Sequence, residues 1–142
     1  MRALRNFVVA MLALTATPGV AQRQPPPPIL SGIDALRADF LARTGTDTVY
    51  FGVGGAQLGA PARLVLQAQA IWLLQHPGTV VRIEGHGDSG DTRDHALAMG
   101  AKRAEEVQSA LVLFGVPAAQ LTTMSWGKER PGVPRAQIVL VR

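Results

Sequence analysis

Most of the side chains in this sequence that could do chemistry fall between Glu84 and Arg103. Gly87-Asp88-Ser89-Gly90 sets a serine between glycines beside an aspartate, an arrangement that could serve acyl transfer. Ser89 would then need a histidine base and an oxyanion hole, and the only histidines upstream of it are His76 and His86. His86, Asp88 and His95 could offer imidazole and carboxylate ligands to zinc. Two histidines nine residues apart, across a loop and a helix start, are a poor pattern for that, and the chain has no cysteine to add a thiolate. His86 is better read as hydrogen bonding within its own loop. Asp88 and Arg103 stand fifteen residues apart. By residue type alone, Asp88 caps or braces its loop and Arg103 is its ion-pair partner.

These residues need elements to hold them. A long helix from about Thr92 to Phe114 carries Arg103, with Leu97, Ala104, Val107, Leu111 and Phe114 on one face and Gly115 to close it. Arg103 adjoins that stripe, which puts it at the edge of the packed face. Thr79 to Gly85 alternates, with Val81 and Ile83 on one side and Arg82 and Glu84 on the other, so Asp88 follows a strand in the polar loop His86 to Asp91. Upstream, Ser31 and Asp34 mark a helix start, and Ile33, Leu36, Phe40 and Leu41 continue it to about Arg43. Thr46 to Val53 reads as a strand running into the flexible Gly52-Val53-Gly54-Gly55. From Pro61, Leu64, Ala68, Ile71, Trp72 and Gln75 recur with a period near 3.6 until Pro77-Gly78 stops the helix. Leu121 to Trp126 and Gln137 to Val141 supply the last strands; Trp72 is expected in the core and Trp126 at a strand end. Strands alternating with helices, then a final strand pair, describe an α+β fold: a two-layer α/β sandwich on a mixed sheet.

The start of the chain reads as an export signal. Arg2 and Arg5 precede an apolar run from Phe7 to Ala16, and Gly19-Val20-Ala21 ends it with small residues. The run is about half of the ~20 residues that a membrane-spanning helix needs, so residues 1–21 are expected to be a cleaved signal peptide and no membrane span is expected afterwards. Without cysteine, no disulfide or acylated cysteine is available, and burial alone must stabilise the fold in an oxidising compartment. Four consecutive prolines, Pro25 to Pro28, make residues 22–30 an extended spacer before the helix at 31–45 and one domain at 46–142. Setting Arg2 and Arg5 aside leaves 12 basic residues against 10 acids, spread along the chain, which argues against nucleic acid as a partner.

Val49-Tyr50-Phe51, Gln57-Leu58, Ile83-Glu84-Gly85-His86-Gly87-Asp88, Lys102-Arg103-Ala104, Val107, Gly115-Val116 and Trp126-Gly127-Lys128-Glu129-Arg130-Pro131 occur in one collinear order. Together they resemble the C-terminal domain of the OmpA family and of peptidoglycan-associated lipoproteins, from about Val49 to the end. That family's signature is a Gly-His-Thr-Asp loop followed fifteen residues later by an arginine in an Arg-Ala pair, the spacing of Asp88 and Arg103. The resemblance implies the strand and helix order β-α-β-α-β-β and non-covalent binding of peptidoglycan in the periplasm, without catalysis, metal or cofactor. It implies recognition of meso-diaminopimelate in the stem peptide, whose far end carries an amine and a carboxylate on one carbon. Asp88 would take the amine and Arg103 the carboxylate, since guanidinium binds carboxylate through two parallel hydrogen bonds. The helix start at Thr92 would add backbone donors, and Arg135 is what survives of the family's Asn-Arg-Arg before the last strand. Cell-envelope proteins are further possible partners.

The sequence also departs from that pattern. Gly52 and Gly54 stand where the family usually has acidic residues, Gly87 replaces the signature threonine, and His95-Ala96 replace an aromatic-asparagine pair. The loop before the last strand is short. These changes leave open a second reading, in which the fold persists as a structural or interaction module without the ligand. The export reading makes the mature N-terminus Gln22, and mass spectrometry of the protein taken from the periplasm is the check. Met1 retained in a membrane fraction would show an uncleaved anchor instead.

Overall fold

The computed structural model describes residues 25–142 apart from Pro27 and Leu30, so the expected signal peptide and its cleavage point lie outside the described residues. The first helix, α1, spans Gly32–Thr44: the Ser31 hydroxyl accepts from the Asp34 amide to start it, and Gly45, at φ 78°, ends it. Strand β1 is Thr48–Tyr50, helix α2 Ala60–Gln75, strand β2 Val81–His86 and helix α3 Arg93–Leu113. A short 3₁₀ turn at Ala118–Gln120 leads into β3, Leu121–Gly127, and β4, Arg135–Leu140, completes the order.

The sheet runs β1-β4-β2-β3, with β4 antiparallel to both β1 and β2, and β3 parallel to β2. It is the expected mixed sheet, although the last two strands are not neighbours, because β4 inserts between β1 and β2. Val49, Val81, Ile83, Ala136, Ile138 and Leu140 form the buried side of the sheet, packed with Leu66, Leu73, Ala104, Val107 and Leu111 from the helices. α1 is fastened to α2 where the Phe40 ring meets Trp72 edge-on at 5.1 Å and Trp72 Nε1 donates to Asp39 at 2.8 Å. That bond holds the Asp39 carboxyl below the usual carboxylate range.

Three details correct the sequence reading. β1 is three residues long, shorter than Thr46 to Val53: the chain from Gly52 turns to Arg103 and Asp88, and before the strand Thr46 folds back on it. The Thr46 hydroxyl accepts from the Thr48 amide at 3.1 Å and donates to the Thr48 carbonyl at 3.3 Å. α2 buries Leu66, Gln69, Ala70, Trp72 and Leu73, while Leu64 and Ile71 are exposed. Nearly the whole helix is apolar, so periodicity could not pick its inner face. α3 likewise buries Ala96, Gly100 and Arg103 along with Ala104, Val107 and Leu111, and leaves Leu97 half exposed.

The small residues of α3 explain its position. A Cβ on Gly85 would lie 1.8 Å from the Gly100 carbonyl oxygen, and one on Gly87 would lie 2.2 Å from that of Ala96. Helix backbone therefore rests directly on the end of β2, one turn from Arg103, and this closeness brings the guanidinium to the strand end. Gly85→Ala should lower stability by about 3 kcal/mol or more, the upper range for overpacking against groups that cannot yield. Gly78→Ala, whose Cβ would meet nothing within 4 Å, should cost little. Urea denaturation compares the two; a Gly85→Ala loss under about 1 kcal/mol would mean that α3 shifts easily.

Candidate functional site

Arg103 is fully buried, with 0% of its surface exposed, and it is the largest such side chain described. A guanidinium out of water needs partners for its N–H groups, and four are present. Nε donates to the Gly55 carbonyl at 2.8 Å, Nη1 to the His86 carbonyl at 2.9 Å, and Nη2 to the Gly52 carbonyl at 3.1 Å and to Asp88 Oδ1 at 3.0 Å. The Phe51 ring lies beneath the guanidinium, 5.6 Å from centroid to Cζ. Asp88 spends its other oxygen, Oδ2, on the Gly54 amide at 2.8 Å. Three of these bonds fasten the Gly52-to-Gly55 loop to the ion pair. Arg103 is thus inside the packed layer, deeper than the edge position read from the sequence, and the burial follows from Gly100 one turn earlier drawing α3 onto β2.

Beside the ion pair is an open groove of about 390 Å³, lined by Val53, Gly54, Asp88, Asp91, His95 and Pro134 among others. A larger hollow, about 640 Å³, lies against Leu58, Leu113 and Phe114, and neither Asp88 nor Arg103 lines it. The smaller groove is the candidate site because Asp88, the outer member of the buried charge pair, lines it, while Arg103 lies behind Asp88 and the glycine loop. Of the four residues expected to bind ligand, Asp88 and Arg103 come together. Thr92 acts as the N-cap of α3, its hydroxyl accepting from the His95 amide at 3.3 Å. Arg135 opens β4 and donates to the Val133 carbonyl at 3.1 Å. No hydrogen bond or ion pair joins Thr92 or Arg135 to Asp88 or Arg103 among the described residues.

Two groove residues were not picked out as ligand contacts from the sequence. His95 Nδ1 donates to Asp91 Oδ2 at 2.7 Å, one helical turn apart across the start of α3. An acid four residues before a histidine at a helix start was the signal that could have found them. His86, Asp88 and His95 do not gather as a metal-holding group; no cluster of three or more potential ligands occurs among the described residues. His76 stacks on the Trp72 ring at 3.8 Å, away from Ser89.

Glu84, on the strand side opposite Val81 and Ile83, is 2% exposed. Arg82 holds its Oε1 through Nε and Nη2 at 2.9 and 2.7 Å, and Arg130 reaches Oε2 at 3.4 Å while lying 3.6 Å over the Trp126 ring. The loop after β3 covers this face. His86, two residues further along the strand, is also buried, and neither ring nitrogen has a hydrogen-bond partner among the described residues, which corrects the expectation of loop bonding by its side chain. Its backbone carbonyl does that work instead, through Arg103. Burial pushes the imidazole pKa down to about 4, and Arg135 and Arg130 add to the effect against Glu84. Because the folded value lies below the unfolded value of about 6.5, protonation favours the unfolded chain. His86 therefore leaves stability intact above pH ~6.5 and lowers it as pH falls towards ~4, by up to about 3 kcal/mol. Urea denaturation across that range should show the loss and His86→Leu should flatten it; an unchanged slope in His86→Leu assigns the loss to other groups.

The OmpA family pattern matches residues 50–139. A peptidoglycan-associated lipoprotein from Agrobacterium fabrum (strain C58 / ATCC 33970) is 38% identical over 101 residues, which cover 71% of this chain and 56% of that protein. One from Rhizobium meliloti (strain 1021) is 35% identical over 136 residues, covering 89% of this chain and 77% of that protein. The chain thus spans little more than half the length of the first of these relatives. The crystal structure of the peptidoglycan-associated lipoprotein from Burkholderia pseudomallei is similar with a TM-score of 0.66 at 34% identity, over 68% of this chain and 92% of that one. The C-terminal domain of Helicobacter pylori MotB shares the fold, with a TM-score of 0.60 at 19% identity over 68% of this chain and 85% of that one. With its matching pattern over more than half the chain and its signature loop and arginine joined in one ion pair, the chain belongs to the OmpA family.

Proposed function

We propose that this protein binds peptidoglycan non-covalently in the periplasm, through the meso-diaminopimelate residue of the stem peptide, and catalyses no reaction on it. The observation that carries the reading is the buried Asp88–Arg103 pair, whose Asp88 lines an open groove of about 390 Å³. The names of the relatives, peptidoglycan-associated lipoproteins, support the polymer as ligand. The zwitterionic end of diaminopimelate brings an ammonium to the Asp88 side and a carboxylate to Arg103, with the amides at the start of α3 beyond Thr92 and the Arg135 guanidinium as further donors. For the carboxylate to reach Arg103, the Gly52 and Gly55 carbonyls must give up their N–H donors. Three glycines in four residues leave that loop free to move. Cell-envelope proteins remain partners of the same module. The second reading, a module that has lost the ligand, draws on the same geometry, since Arg103 is closed off entirely in this conformation.

Sacculus co-sedimentation separates the two. The folded wild-type protein should pellet with sacculi, and Asp88→Ala and Arg103→Ala should each abolish this, since truncating one side of a desolvated charge pair costs about 2–5 kcal/mol. Circular dichroism reports whether the variants still fold. Amidating the diaminopimelate carboxylate should have the effect of the Arg103 change without touching the protein, because an amide cannot accept the charged fork. Wild-type protein that is folded but stays in the supernatant would favour the interaction module.

A further inference from the structure

The proposed reading leaves the ammonium facing a carboxylate that is already occupied. Asp88 gives Oδ1 to Arg103 and Oδ2 to the Gly54 amide, and its side chain is 10% exposed. Asp91 lines the same groove, its side chain is 31% exposed, and only Oδ2 is engaged, by His95 Nδ1 at 2.7 Å. Asp91 Oδ1 has no hydrogen-bond partner among the described residues. The loop holds the two acids side by side: the Asp91 amide donates to the Asp88 carbonyl at 3.2 Å, and Lys128 Nζ binds the Asp91 backbone carbonyl, not its carboxylate.

Resting on that reading, we infer that Asp91 is a specificity-determining residue of the groove: its free oxygen takes the ligand's ammonium, shared with Asp88, while His95 positions the carboxylate. An ammonium carries three donors, and a carboxylate that already serves a buried guanidinium and a backbone amide satisfies them poorly. The unpartnered oxygen of Asp91, on a side chain 31% exposed, answers that need at the wet side of the groove. It also gives Ser89-Gly90-Asp91, small and flexible before the N-cap, a reason to carry an acid at its end.

The test measures both sides of the contact by titration calorimetry. Wild type and Asp91→Asn are each titrated with a stem tripeptide ending in meso-diaminopimelate, and with the same tripeptide acetylated on the far amine. Acetylation should weaken wild-type binding about tenfold or more, the size of a lost hydrogen bond between charged groups. Asp91→Asn should lose a similar factor for the free amine, and both proteins should bind the acetylated peptide alike. His95→Gln should lose a few-fold while keeping its sensitivity to acetylation, as befits a positioning residue. Equal binding of the free-amine peptide by wild type and Asp91→Asn overturns the inference, and so does an Asp91→Asn loss that is the same for both peptides, which marks a structural role. Wild type that binds neither tripeptide nor sacculi overturns the reading beneath it, and the inference with it.

Discussion

A guanidinium sealed from water fixes the arrangement of everything around it. Removing the charge of Arg103 from solvent costs several kcal/mol even after relaxation, and only a full set of well-placed acceptors offsets that cost. The chain supplies them from three separate segments: the Gly52 and Gly55 carbonyls after β1, the His86 carbonyl at the end of β2, and Asp88 in the following loop. None of these is in reach unless α3 lies almost on the strand, and that depends on Gly85 and Gly100 having no side chains. Two glycines and one arginine thereby set the register between the helix layer and the sheet. Such a pair specifies the arrangement more than it adds net stability, since a well-packed apolar substitute is often as stable.

The same bonds define how the groove can work. The glycine loop is tied to the rest of the molecule largely through side chains, two carbonyls on Arg103 and one amide on Asp88, and Val53 at its tip is exposed. A ligand carboxylate that displaces the two carbonyls exchanges neutral acceptors for a charged one, and charge-assisted bonds are about twice as strong. The exchange is favourable only if both N–H donors are taken up in parallel. On the proposed reading, a ligand with a carboxylate meets that condition and one with an amide does not, so selectivity would follow from the geometry of Arg103.

Much of the fold was readable from local chemistry. Ser31 and Thr92 at helix starts, Gly115 as a C-terminal turn, and the alternation of Val81 and Ile83 gave the long elements to within a residue or two. What could not be read were properties that depend on a neighbour. α2 is apolar on nearly every face, so only α1 and α3 decide that Leu66 and Leu73 point inward and Leu64 and Ile71 do not. β1 stops short because the chain from Gly52 is drawn to Arg103 and Asp88, partners that lie elsewhere in the sequence. The burial of Glu84 was not visible either: Arg82, and Arg130 from the loop after β3, close over it, and no local pattern announces a loop folding back. At the site, the Asp88–Arg103 spacing was visible and the depth of Arg103 was not, because depth is set by the close approach of Gly100 on α3 to Gly85 on β2, a contact between elements that no local pattern shows. Asp91 escaped notice for the opposite reason: it lies in the loop that drew attention to Asp88, and its value lies in which of its oxygens remains free.

These constraints divide the labour within one small loop. Asp88 is committed inward, where losing it would strand Arg103 among carbonyls, whereas Asp91 is held at the surface by His95 and can exchange partners without disturbing the core. A site built this way couples stability to recognition on one side and separates them on the other. Changes to the inner acid disturb the loop, the strand end and the helix seat together, because all three converge on one guanidinium. Changes to the outer acid reach only the groove. If Asp91 receives the ammonium as inferred, ligand preference can be altered at Asp91 and His95 while the buried pair stays fixed.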